Sequence, residues 1–225
     1  MQGDRGDELV VYGIGTIRTF RVHWMLHELD LAYRTEPILS RSGETETPAY
    51  HAVNPRGKIP ALVHGNLRLA ESAAIILYLA ERFGAGRALV PDPSTDARAI
   101  HDQWCFFIMM ELDAHTLYVI RRHEGLAHLY GEAPAAVAAA RAYFQRQASV
   151  AEQELSDGRP FLVGDSFTCS DILLGSCLDW ALFSGEALTD GLAAYRQRLK
   201  ARPAYRTAFE QNYPPEAMQA LRPAV

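Results

Sequence analysis

The sequence is short of the features that would direct it to nucleic acid, a membrane or a disulfide scaffold. Lysine and arginine (22) are outnumbered by aspartate and glutamate (27), for a formal net charge of −5. Phosphate backbones call for basic faces, so this balance argues against a nucleic-acid partner. No apolar run approaches the ~20 residues needed to span a bilayer. The segment from Met1 to Glu8 is polar and acidic, unlike a secretory signal. Cysteine is scarce: Cys105, Cys169 and Cys177 are odd in number and lack metal-ligand spacing. They are expected to be reduced, mostly buried packing thiols of a cytoplasmic protein, with no metal site. Repeats and low-complexity segments are also missing.

What is there suffices for two domains: 225 residues, 48% of them hydrophobic. Leu9-Val10-Val11-Tyr12, closed by Gly13 and Gly15, reads as a buried strand. Apolar residues from Arg18 to Leu29 favour one helical face. Ala32 to Leu39 reads as a second strand, and Ser40 to Tyr50 as a polar loop with a short helix. Lys58 to Val63 reads as a third strand, His64-Gly65-Asn66 as a hairpin turn and Leu67 to Leu69 as the returning strand. Glu71-Ser72 opens a helix to about Phe83, ended by Gly84 and Gly86. Strand, helix, strand, hairpin, helix makes a small mixed sheet with packed helices. Residues 87–95, with Pro91 and Pro93, read as a linker. From Asp96 onward the patterns are helical only: 96–123, 132–156, 168–183, 192–198 and 203–211. The expected domains are therefore 1–86 (α/β) and 96–225 (an all-α bundle).

Asn54-Pro55-Arg56-Gly57-Lys58-Ile59-Pro60-Ala61-Leu62, followed by Leu69-Ala70-Glu71-Ser72-Ala73-Ala74-Ile75, resembles the glutathione-binding signature of the cytosolic glutathione transferases. The resemblance extends over nearly the whole chain. It implies a thioredoxin-like first domain, an all-helical second domain, glutathione as co-substrate with no other cofactor, and a two-fold homodimer. The residue chemistry agrees. A proline after strand-like Ile59 can sit in a cis peptide, the usual mark of a specified turn. Ile59 would then pair its main chain with an extended peptide, as an added strand does. Glu71 and Ser72 stand at a helix N-terminus, which favours a bound carboxylate. Ser72 would take the γ-glutamyl carboxylate, Glu71 the ammonium group, and Lys58 the glycine carboxylate. By resemblance, Glu111 would reach the amine of glutathione bound to the partner subunit.

Activating the thiol requires a donor aimed at sulfur, because a free thiol with a reference pKa of ~8.5 is mostly protonated at neutral pH. The family places a serine, cysteine or tyrosine after the first strand. Setting Arg21-Val22 on the family's helix pattern brings Thr16 to that position. Thr19, one turn on, is the second candidate and Tyr12 the third. No cysteine lies in this segment, which disfavours a protein–glutathione mixed disulfide. In the second half, Trp104 to Tyr118 is apolar nearly all round. Phe107, Met110, Asp113 and Leu117 are the candidates for a pocket that holds a small apolar electrophile. Thr168 and Asp171 form a close variant of the capping box, a structural role. The resulting expectation is a transferase acting on an apolar electrophile or peroxide. The alternatives are a non-catalytic glutathione-binding protein on the same fold and a glutathione-dependent disulfide reductase.

Overall fold

A computed structural model describes residues 8–220; the stretch from Met1 to Asp7 lies outside them. Contacts divide the chain into two compact units, one of residues up to Arg87 and from Ala201 onward, the other Ala88–Lys200.

The first unit is built on four strands in the order β2-β1-β3-β4: β1 (Leu9–Ile14), β2 (Arg34–Leu39), β3 (Ala61–His64) and β4 (Leu67–Ala70). β1 runs parallel to β2 and antiparallel to β3, and β3 turns back antiparallel into β4. This is the thioredoxin-like arrangement expected. The third strand starts later than Lys58, because the cis Ile59–Pro60 turn precedes it and the Lys58 carbonyl is taken by Tyr50 Oη and Asn54 Nδ2. Those two bonds, at 2.7 and 2.6 Å, draw the Lys58 carbonyl to side chains instead of a sheet ladder.

Three helices follow the strand order: α1 (Ile17–Glu28), the short α2 (Pro48–His51) and α3 (Ser72–Phe83). Phe20, Val22, Trp24, Met25 and Leu26 of α1 are all fully buried, because α1 is covered on several sides. The sequence pattern gave α1 one apolar face, but a further helix, α10 (Pro203–Asn212), packs on it. Tyr205 and Phe209 meet the Phe20 ring edge-on, at 5.1 and 5.9 Å between centroids. Arg202, just before α10, chelates the Glu28 carboxylate at 2.6 and 2.7 Å. The segment from Ala201 therefore groups with the first unit, where the sequence reading had assigned it to the bundle.

The second unit is helical: α4 (Asp96–Phe107), α5 (Tyr118–Ile120), α6 (Ala127–Tyr130), α7 (Pro134–Glu154), α8 (Cys169–Phe183) and α9 (Asp190–Lys200). Its start is anchored, unlike a free linker: Leu89 is buried and its carbonyl accepts the Cys169 N–H at 2.9 Å. The long helix expected from Asp96 changes winding at Ile108. Ile108–Leu117 and Arg121–Gly125 are π-helical, with wider i→i+5 turns. α8 is buried nearly all round, and Thr168 and Asp171 close its N-terminus. All three cysteines are free and buried. Burial pushes the Cys105 thiol up to about 12, so it is a packing residue and not a nucleophile at neutral pH. Among the described residues no helix is long and apolar enough to cross a membrane.

Candidate functional site

The residues of the signature converge at one end of the first unit's sheet, where β1 leads into α1 and β4 into α3. Gly13, the last residue but one of β1, has a φ of +112° that only glycine adopts readily. A Cβ there would lie 2.6 Å from the Ile59 Cβ, so Gly13 admits the Ile59 side chain against β1. Pro60 is buried, Ile59 is half-buried and Lys58 is exposed.

Thr16 is the N-cap of α1. Its Oγ1 accepts the Thr19 N–H at 3.1 Å, and Thr19 Oγ1 accepts the Thr16 N–H at 3.0 Å. The reciprocal pair is a capping box made by two threonines. Thr16 is half-buried and Thr19 fully buried, so of the two only Thr16 offers surface to a ligand. Tyr12, the third candidate donor, is half-buried with its ring edge-on to Tyr50 at 6.0 Å. Burial pushes the Tyr50 hydroxyl up to about 12, which keeps it protonated as a donor to Lys58.

α3 opens differently. Its N-cap, Glu71, sits at φ +71° and ψ 112°, a strained conformation for a residue with a side chain, and makes no side-chain cap bond. The Glu71 carboxylate is 62% exposed and pairs with Arg56 at 2.7 Å. Ser72 is buried, and its Oγ accepts from Arg21 Nη1 at 3.2 Å. Arg21 has no exposed surface, so a guanidinium charge lies under the α3 N-terminus. Sequence reasoning used Arg21 only to set the helix register. Ser72 lies 51 residues further on, on another helix, so local spacing carries no signal that Arg21 reaches it.

Two further polar groups went unread. His23 is fully buried on α1, with Nε2 at 3.1 Å from the Gly13 carbonyl and Nδ1 at 2.8 Å from Tyr33 Oη. Burial pulls its pKa down to about 4, so the ring is neutral. Asn212, at the end of α10, bonds the segment that holds Thr16.

In the second unit, Glu111 accepts from Tyr143 Oη at 2.6 Å and lies 3.6 Å from His115 Nδ1. Of the four residues expected to face an electrophile, Phe107 is half-buried and Met110 is 50% exposed, whereas Asp113 and Leu117 have no exposed surface. The wider π turns from Ile108 onward change which residues share a face. Among the described residues no cluster of His, Cys, Asp and Glu is placed to hold a metal ion.

Comparison with known proteins agrees with this architecture. Residues 18–82 match the family model "Glutathione S-transferase, N-terminal domain", and residues 134–207 match "Glutathione S-transferase, C-terminal domain". The chain is 30% identical to glutathione S-transferase F14 of Arabidopsis thaliana over 201 residues, covering 80% of this chain and 75% of that one. It is 28% identical to glutathione S-transferase 1 of Schizosaccharomyces pombe, covering 86% of this chain and 91% of that one. Among solved structures it is similar to the glutathione transferase URE2P6 of Phanerochaete chrysosporium in complex with oxidized glutathione, with a TM-score of 0.81 at 27% identity, covering 92% of this chain and 97% of that one.

Proposed function

The chain belongs to the glutathione S-transferase family, and from that premise we propose that it is a working glutathione transferase, acting on an apolar electrophile or a peroxide. The observation that carries the reading is the opening of α3. Its N-cap side chain makes no cap bond, its backbone is strained, and a buried guanidinium stands behind Ser72. A helix end left open in this way, with positive charge behind it, favours a carboxylate.

In this reading the γ-glutamyl carboxylate of glutathione accepts the Ser72 N–H and hydroxyl. The Ser72 oxygen already accepts from Arg21, so its proton is the group left to donate. The exposed Glu71 carboxylate takes the ammonium group, and Lys58 meets the glycine carboxylate. The Ile59 main chain pairs with the cysteinyl unit, beside the start of β3. Thr16 donates to sulfur and stabilises the thiolate. The thiolate then attacks the electrophilic carbon, forming a C–S bond as the leaving group or the π electron pair departs. Phe107 and Met110 keep exposed apolar surface to offer the electrophile.

Phe106 is 72% exposed, a large apolar side chain that a homodimer would cover, and sedimentation of the purified chain would detect the dimer.

The deciding experiment titrates reduced glutathione into the wild type and Ser72→Ala by calorimetry, alongside turnover with a broad panel of electrophiles. Binding is expected to weaken at least tenfold in Ser72→Ala, the usual loss for a hydrogen bond to a charged group. Turnover above the uncatalysed rate in the wild type supports the transferase. Binding without turnover gives the non-catalytic protein instead, and reduction of small disulfides gives the reductase.

A further inference from the structure

We propose that Asn212 is a positioning residue for thiol activation: it holds the Gly15–Thr19 turn so that the Thr16 hydroxyl proton stays available to the sulfur of glutathione. The inference rests on Thr16 being the thiol's donor.

Asn212 is fully buried, and three hydrogen bonds leave it for one short segment. Its backbone carbonyl accepts the Gly15 N–H at 2.7 Å. Its Nδ2 donates to the Thr16 carbonyl at 3.0 Å, and its Oδ1 accepts from Thr19 Oγ1 at 2.7 Å. The chemistry fixes the amide's orientation. A backbone carbonyl can only accept, so nitrogen must face Thr16 and oxygen must face Thr19.

That orientation decides where the hydroxyl protons go. An amide oxygen can only accept, so Thr19 must donate, and Thr19 has one hydroxyl proton. Its acceptors are Asn212 Oδ1 at 2.7 Å and the Thr16 carbonyl at 2.8 Å. Neither choice leaves a proton for the Thr16 hydroxyl, 3.0 Å away. Thr16 Oγ1 meanwhile accepts the Thr19 N–H at 3.1 Å. The Thr16 proton is thus the one hydroxyl proton of the cluster free to turn. Without substrate it can rest on Thr19 Oγ1. A thiolate, being ionised, is the stronger acceptor and would draw it outward.

Asn212 also fastens the two residues that precede α1, so the Thr16 Cα–Cβ direction is set from α10. Its neighbour Gln211 supplies a natural control. Gln211 Oε1 accepts from Tyr33 Oη at 2.8 Å and lies 2.7 Å from His27 Nε2, while its Nε2 donates to Thr35 Oγ1 at 3.1 Å. Gln211 therefore ties the same end of α10 to the same unit without touching the Thr16 segment.

The test records thiolate absorbance of protein-bound glutathione against pH, using the full chain as wild type, Thr16→Val, Asn212→Ala, Asn212→Asp, Gln211→Ala and the Thr16→Val/Asn212→Ala double variant. Asn212→Ala is expected to cut the bound thiolate fraction at neutral pH roughly fivefold, within the usual worth of one hydrogen bond, while glutathione affinity changes little. Asn212→Asp keeps the shape and removes the donor to Thr16, so it carries the test if the alanine variant does not fold. Gln211→Ala should leave the thiol titration on the wild type even where stability drops. The double variant should fall no further than Thr16→Val alone. Three results overturn the proposal. An unchanged titration in both Asn212 variants, with Thr16→Val shifted, removes Asn212 and leaves Thr16 standing. An equal shift in Gln211→Ala reduces Asn212 to general anchoring of α10. An unshifted Thr16→Val removes the donor itself, and with it the role of Asn212.

Discussion

Two helices of this chain treat their first turn in opposite ways. At α8 the chain itself supplies the acceptor, Asp171. Asp171 Oδ2 accepts the Thr168 N–H and hydroxyl at 2.8 and 3.0 Å. Asp171 Oδ1 accepts the Leu162 N–H at 2.9 Å and the Tyr195 hydroxyl at 2.6 Å. The carboxylate is completely buried. At α3 the N-cap carboxylate caps nothing, the backbone sits at positive φ, and the charge behind Ser72 is positive. A helix end satisfied from within is a folding device. One left open against local strain is where a ligand can supply the missing acceptor.

The largest expected effect separates the two roles. Asp171→Ala strands the Leu162 and Thr168 N–H groups and the Tyr195 hydroxyl in a dry interior. The loss should be about 3–5 kcal/mol of stability, as for breaking a buried charged network. Denaturant midpoints would measure it, and the folded fraction should still bind glutathione with wild-type affinity. A loss below about 1 kcal/mol would break the comparison, because α8 would then not depend on its internal acceptor.

Acid sharpens the contrast from the side of α1. His23 lies on the helix that carries Arg21, and burial lowers its pKa from 6.5 to about 4, with His27 adding a small repulsion. The unfolded chain therefore binds a proton between those values that the folded chain refuses. The resulting stability is fully present above pH 6.5 and is lost as pH falls towards 4, by up to about 3 kcal/mol. Burial lowers His101 in the second unit too, so the fall is not the work of His23 alone. His23→Gln isolates its share: the variant should show a flatter fall in denaturant midpoint across this window. An identical slope would mean that His23 is not the group being protonated.

The legible parts of the molecule were the local ones. The Asn54–Leu62 stretch and the Glu71-Ser72 pair were readable because turn, strand and helix start lie within a few residues of one another. Thr168 and Asp171 were readable for the same reason, at three-residue spacing. Arg21 under Ser72 was not, since its partner lies on another helix 51 residues away. Asn212 was less so: its partner Thr16 is 196 residues distant, and no periodicity links a C-terminal helix to the first turn of α1. The π-helical winding after Phe107 also escaped, because an apolar run looks alike at either helical pitch and only tertiary packing selects between them. Local spacing is therefore readable from the sequence, whereas contacts between distant helices and the choice of helical pitch are not.

The smallest expected effect bears most directly on α3. Glu71 holds φ at +71°, where a Cβ is unfavourable by about 1–3 kcal/mol and glycine is not. Glu71→Gly should therefore stabilise the ligand-free protein by roughly 0.5–1.5 kcal/mol, after allowing for the freer unfolded chain. The Arg56 pair subtracts little, since both side chains are more than half exposed. Glu71→Ala removes the same carboxylate but keeps the strain, so it should gain nothing. Both variants should bind glutathione about tenfold more weakly if the carboxylate meets the ammonium group. Measured together, the pair separates backbone strain from ligand contact. A glycine variant that is no more stable than alanine would mean the positive φ is unstrained in this setting, and the open end of α3 would then need no ligand to account for it.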